Sequence, residues 1–146
     1  MPPSPKYTKL DWDNVEMLVN AVHLAMKNEE YYPSRILALG RGAMPVARLI
    51  AREQPIYYWG LASYEKEERG KIHEYQSPPS VDLIDSPTTL IVDDLWDSGQ
   101  TFEFARKRFP KAKTAALLSK SSEHSLDFVG EDLTDGSWII FPWECN

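Results

Sequence analysis

The chain has 146 residues, enough for one domain, with 42% hydrophobic and 26% charged side chains, an ordinary balance for a globular protein in water. A net charge of −6 disfavours bulk nucleic-acid binding, which draws on Lys and Arg contacts to phosphate, and no apolar run approaches the roughly 20 residues of a membrane span. The lone Cys145 has no partner for an internal disulfide, and the Pro-rich, polar start from Met1 to Lys9 lacks the apolar centre of a signal peptide; both fit a reducing cytoplasm. In chain order, residues 1–10 read as a loose N-terminal arm, and residues 11–146 as a single domain. Asp11 opens a helix in which Val15, Leu18, Val19, Val22 and Met26 recur at helical spacing, ending before Tyr31-Tyr32-Pro33. Ile36 to Leu39 is a buried strand, broken by Gly40-Arg41-Gly42, and a helix runs from Ala43 to about Arg52. Ile56 to Ala62 is a second strand.

Residues 64–85 are charged and aperiodic, with Gly70 and Pro78-Pro79, and read as a long loop of the kind that forms lids. Leu90 to Val92 is the third strand, Asp97 to Gln100 a turn, and the helix after it sets Phe102, Ala105 and Phe109 on one face. Thr114 to Leu118 is the fourth strand, and the aromatic tail from Ser137 to Trp143 packs apart from the main sheet. This order predicts an α/β fold, an open and mainly parallel sheet flanked by helices. His23, His73 and His124 stand at no metal-ligand spacing and read as surface or helix residues; the run Glu65 to Arg69 reads as a solvated lid face.

The informative segment is Leu90-Ile91-Val92-Asp93-Asp94-Leu95-Trp96-Asp97-Ser98-Gly99-Gln100-Thr101. A buried strand ends in two adjacent carboxylates, a third follows, and a Ser-Gly-x-Thr turn leads into a helix. Ligands of open α/β sheets bind at the carboxyl ends of strands, where small residues and a helix N-terminus favour an anion. The turn therefore suits a phosphate monoester, with Ser98 and Thr101 as added donors, while Asp93 and Asp94 suit ribose hydroxyls and a hydrated Mg2+.

This segment resembles the 5-phosphoribosyl 1-pyrophosphate (PRPP) motif of the type I phosphoribosyltransferases, with Ser98 where Thr is usual. Ala38 to Ala47 is similar to the pyrophosphate loop of bacterial xanthine-guanine phosphoribosyltransferases, with Gly40 in place of the usual Ser and Ala43 in place of a Gly. The resemblance implies a strained, non-proline cis peptide at Gly40-Arg41 and pyrophosphate contacts from Arg41 and Gly42. Ser63-Tyr64 resembles the pair that opens the family's lid, which spans about residues 64–85 here. Lys120 stands where the family places a donor to O6 of the base. Trp138-Ile139 and Pro142-Trp143-Glu144 resemble its C-terminal hood, about residues 132–146, with Glu144 in place of an Asp.

The resemblance thus implies purine-salvage transfer of phosphoribose to a 6-oxopurine by inversion at ribose C1, through an oxocarbenium-like transition state. Asp97 is the implied general acid or base at purine N7; Asp93, Asp94 and Asp97 to Thr101 bind PRPP, with Asp93 and Asp94 also on Mg2+. Lys120, Trp138, Ile139 and Glu144 are the implied base contacts, and a homodimer or tetramer the implied assembly. For single residues the bland readings stand beside these: Arg41 and Lys120 as solvated cations, Trp138 as core packing. Two further functions fit the motif, a PRPP-sensing regulator on the same fold and transfer to another nucleobase. The presence of Asp97 argues against the first, Lys120 and the Trp138-Ile139 tail against the second.

Overall fold

The computed structural model describes residues 6–63 and 71–144. Its elements are β1 (Tyr7–Lys9), α1 (Trp12–Asn28), β2 (Arg35–Leu39), α2 (Ala43–Ile50), β3 (Ile56–Ser63), β4 (Ile72–Gln76), α3 (Val81–Ile84), β5 (Thr89–Trp96), α4 (Gln100–Arg108), β6 (Lys113–Ser119), β7 (Phe128–Asp132) and β8 (Trp138–Ile140). Among the described residues no helix is long and apolar enough to cross a membrane.

α1 starts where Asp11 caps it: the Asp11 carboxylate accepts the Asn14 backbone N–H at 2.8 Å, and the Asn14 side chain accepts the Asp11 N–H at 2.9 Å. Its apolar stripe, Val15, Leu18, Val19, Val22 and Met26, is buried as the periodicity requires. The main sheet has the order β4-β3-β2-β5-β6-β7, parallel except for β4, which runs antiparallel to β3. Alternation along the strands separates two cores. Ile36, Ala38, Leu90 and Val92 face α1 and α2, while Leu37, Leu39 and Ile91 face α4 with Phe102, Ala105 and Phe109.

The chain leaves β2 to one side to make β3, then returns to make β5 on the other side of β2. The helices that follow β2 and β5 therefore cover opposite faces, and a crevice opens between the carboxyl ends of those two strands.

Four expectations change. Part of the expected loop at 64–85 is structured: β4 pairs with β3, held by the Trp59 indole N–H to Glu74 at 2.6 Å and by a hydroxyl pair between Tyr58 and Tyr75. The arm is not loose from Tyr7 onward, because β1 pairs in parallel with β8 as a separate two-stranded sheet. β7 was not foreseen; it adds a strand beside β6. Finally, every peptide among the described residues is trans, Gly40-Arg41 included. The chain turns there through Gly40 itself, at φ +72°, where a Cβ would stand 2.5 Å from the Leu61 carbonyl oxygen. The run Glu65 to Arg69 and Cys145 lie outside the described residues.

Candidate active site

β5 is buried from Thr89 to Val92 and then emerges, so that Asp93 and Asp94 stand partly open at its carboxyl end. The Asp93 carboxylate accepts the Asp94 backbone N–H at 2.8 Å. Burial, reinforced by the neighbouring Asp94 charge, pushes Asp93 well above the ordinary carboxylate range. Burial also raises Asp94, with the Glu144 carboxylate adding to it and hydrogen bonds from Asp93 and the backbone opposing it. None of the ion pairs among the described residues reaches either carboxylate.

Beyond the pair, Asp97 and Ser98 are exposed and Gly99 turns the chain at φ +84° into α4. No side chain caps α4, so the amides of its first turn are left for a ligand.

The opposite wall comes from elsewhere. Lys120 follows β6, its backbone N–H bonded to the Trp96 carbonyl at 2.9 Å, and its ammonium lies 5.7 Å from the centre of the Trp138 ring. Trp138 is 53% exposed, so it is not a core residue, whereas Ile139 beside it is buried in the main core. Phe141 is buried and stacks on Trp143 at 4.8 Å and 9°. Glu144 accepts the Phe141 N–H at 3.1 Å.

One cavity of about 250 Å³ brings these walls together: Asp93, Asp94 and Asp97 to Thr101 on one side, Lys120, Trp138, Ile139 and Glu144 on the other. Leu95, Trp96, Phe102 and Phe141 also line it and were missed in the sequence. Leu95 and Trp96 sit inside the recognised motif, Phe102 in the helix after it and Phe141 in the aromatic tail; the sequence carried no sign of which of these side chains face the cavity.

Arg41 and Gly42 do not line the cavity but sit beside it. Arg41 is exposed, and Gly42 packs so closely on the acidic pair that a Cβ would stand 2.5 Å from Asp94 Oδ2. Tyr64 and the Ser63 side chain lie outside the described residues. No histidine lines the cavity: His23 bonds the Ile50 carbonyl at 2.9 Å and His124 pairs with Asp132 at 3.2 Å.

Adjacent carboxylates without a cationic partner are the donor set of a hard divalent ion. Asp93 and Asp94 fit one, and because no group of three metal-ligating side chains exists among the described residues, the rest of its shell would come from substrate oxygens and water.

An acidic pair and an uncapped Ser-Gly-x-Thr turn at the switch point of a parallel sheet, facing Lys120 and Trp138 across one cavity, are the arrangement expected of a phosphoribosyltransferase of type I. The chain is 30% identical over 143 residues to the xanthine-guanine phosphoribosyltransferase of Idiomarina loihiensis, spanning 94% of this chain and 86% of that protein. It is 31% identical over 153 residues to the enzyme of the same name from Gluconobacter oxydans, spanning 98% and 88%. The crystal structure of a purine phosphoribosyltransferase from Pyrococcus horikoshii superposes with a TM-score of 0.75 at 26% identity, covering 96% of this chain and 95% of that one. No family model matches the chain. The chain belongs to the xanthine-guanine phosphoribosyltransferase family.

Proposed function

We propose that the protein salvages purines: it joins a 6-oxopurine (guanine, xanthine or hypoxanthine) to the ribose of Mg2+-bound PRPP, releasing pyrophosphate and a nucleoside 5'-monophosphate. The observation that carries this reading is the single cavity in which the phosphate turn faces Lys120 and Trp138. Its catalytic domain includes β1, which pairs with β8, and works in the cytoplasm as a homodimer or tetramer.

The Asp97 to Thr101 turn holds the 5-phosphate, through free amides at the start of α4 and the hydroxyls of Ser98 and Thr101. Asp93 and Asp94 accept from the ribose hydroxyls and would hold Mg2+. When bound, the ion neutralises charge on the pyrophosphate. Arg41 and the amides of Arg41 and Gly42 receive that pyrophosphate at the neighbouring strand end, the Gly40 amide being bonded to the Trp59 carbonyl at 2.9 Å.

On the base side, Lys120 donates to O6, where an ammonium selects an oxo over an amino group, and Trp138 stacks on the ring. Ile139 and Glu144 flank the C2 edge. As the bond from C1 to the pyrophosphate oxygen breaks, the bond from C1 to purine nitrogen forms on the opposite face, and Asp97 exchanges the proton at N7. By resemblance, the Ser63-Tyr64 pair would shield bound PRPP from water, whose attack would waste it.

The test is to incubate the protein with Mg2+, PRPP and, separately, guanine, xanthine, hypoxanthine, adenine, uracil and orotate, and to weigh the products. Nucleoside monophosphate from oxopurines alone, dependent on Mg2+, is the expected result. Bound PRPP with no product from any base would overturn it in favour of a regulator.

A further inference from the structure

We propose that Trp96 is the positioning residue for the PRPP 5-phosphate: its indole is the floor on which the Asp97 to Thr101 turn is set. The inference rests on the reading of the pocket as a PRPP site and adds to it a residue with no role so far.

The contact is with backbone. A Cβ on Gly99 would stand 2.3 Å from Trp96 Cζ2 and 2.7 Å from Cη2, so the turn lies directly against the six-membered ring of the indole. No residue but glycine fits there for two separate reasons, the floor beneath it and its φ of +84°. The indole is itself held on two further sides. It stacks on Phe102 of α4 at 5.6 Å and 23°, and its edge meets His124 at 6.3 Å and 62°. His124 is fixed in turn, accepting the Leu126 N–H at 3.1 Å and facing Asp132 at 3.2 Å.

Trp96 is 7% exposed and still lines the cavity. It thus touches the turn from below, the first turn of α4 from the side and, through its carbonyl, the backbone of Lys120. A smaller side chain would keep that carbonyl bond and the strand while removing the floor and part of the packing on Phe102 and His124. The effect should therefore fall on the phosphate rather than on the base.

Four proteins decide this: wild type, Trp96→Phe, Gly99→Ala and the double variant, each measured for PRPP affinity by calorimetry, for KM of PRPP and of base, and for Tm. Phenylalanine keeps an aromatic ring but does not reach where the second ring of the indole meets Gly99. Trp96→Phe should weaken PRPP by about tenfold to 10²-fold, the scale on which small misplacements of a binding group act, with the base KM within about twofold of wild type. Gly99→Ala should weaken PRPP severely in wild type and by a smaller factor beside Trp96→Phe, because the collision is gone and only the backbone strain remains.

Unchanged PRPP affinity in Trp96→Phe, or a Gly99→Ala penalty of the same size in both backgrounds, would overturn the inference. So would equal losses for PRPP and base, the pattern of a residue that merely holds up the core. Absence of PRPP binding to wild type would instead overturn the reading of the pocket, and this inference with it.

Discussion

Along one wall of the pocket, Asp93 to Thr101 supply the lining from a single stretch between β5 and α4; along the other, Lys120, Trp138, Phe141 and Glu144 arrive from the end of β6 and from the C-terminal segment. The first wall is shaped by its own backbone, by the position of Gly99 and by the amides of a helix start. The second is shaped by packing and by a distant strand: Ile139 and Phe141 are buried in the main core, and the Trp138 N–H bonds the Lys6 carbonyl at 2.8 Å. The comparison separates two ways of making a binding surface. A local one survives whatever leaves the strand and helix intact, and an assembled one is as strong as its anchors.

The largest effect should come from the local wall. Asp97→Asn should lower turnover by about 10²–10⁴ while PRPP affinity measured by calorimetry stays near wild type. Turnover within a few-fold of wild type would remove Asp97 from the chemistry. Next, Phe141→Ala should destabilise the fold by about 3–5 kcal/mol in urea denaturation and raise the base KM more than the PRPP KM. Equal effects on both substrates would break the division between the walls. Lys120→Met should raise the base KM by about tenfold, the worth of a hydrogen bond from a charged donor, and leave PRPP binding alone.

The smallest effect belongs to the exposed turn before β8. Lys6 and Ser137 hold the Asp135 carboxyl below the ordinary carboxylate range, and Lys6 reaches it at 2.8 Å. Its stabilising share is therefore complete above the unfolded carboxylate pKa of about 3.9 and fades as the pH falls through the lower folded value. Asp135→Asn should lower Tm slightly at neutral pH, as exposed pairs do, and the gap should close in strong acid. A gap that widened in acid would mean that Asp135 carries no such bond.

What was legible in the sequence follows the same division. β2, β5 and β6 announce themselves as apolar runs because both faces are buried, and the acidic pair and turn sit in one uninterrupted segment. β4 was not legible: it is an edge strand whose residues after Ile72 are exposed, so no alternation marks it, and the groups that hold it are on β3. β1 has three residues and a partner at the far end of the chain, and β7 buries only Phe128 fully. The turn at Gly40 departs from what the resemblance implied, since Gly40 turns the chain at φ +72° with a trans peptide.

The parallel pairing of β1 with β8 has a consequence for how the protein comes into being. On the ribosome, Tyr7 to Lys9 must wait for Trp138 to Ile140, their partners, until every strand of the main sheet has been translated. Pairings this distant in sequence form late in folding. The phosphate turn needs no such wait, since strand, turn and helix leave the tunnel together. During synthesis the turn after β5 should therefore take shape before the wall that carries Trp138 and Glu144.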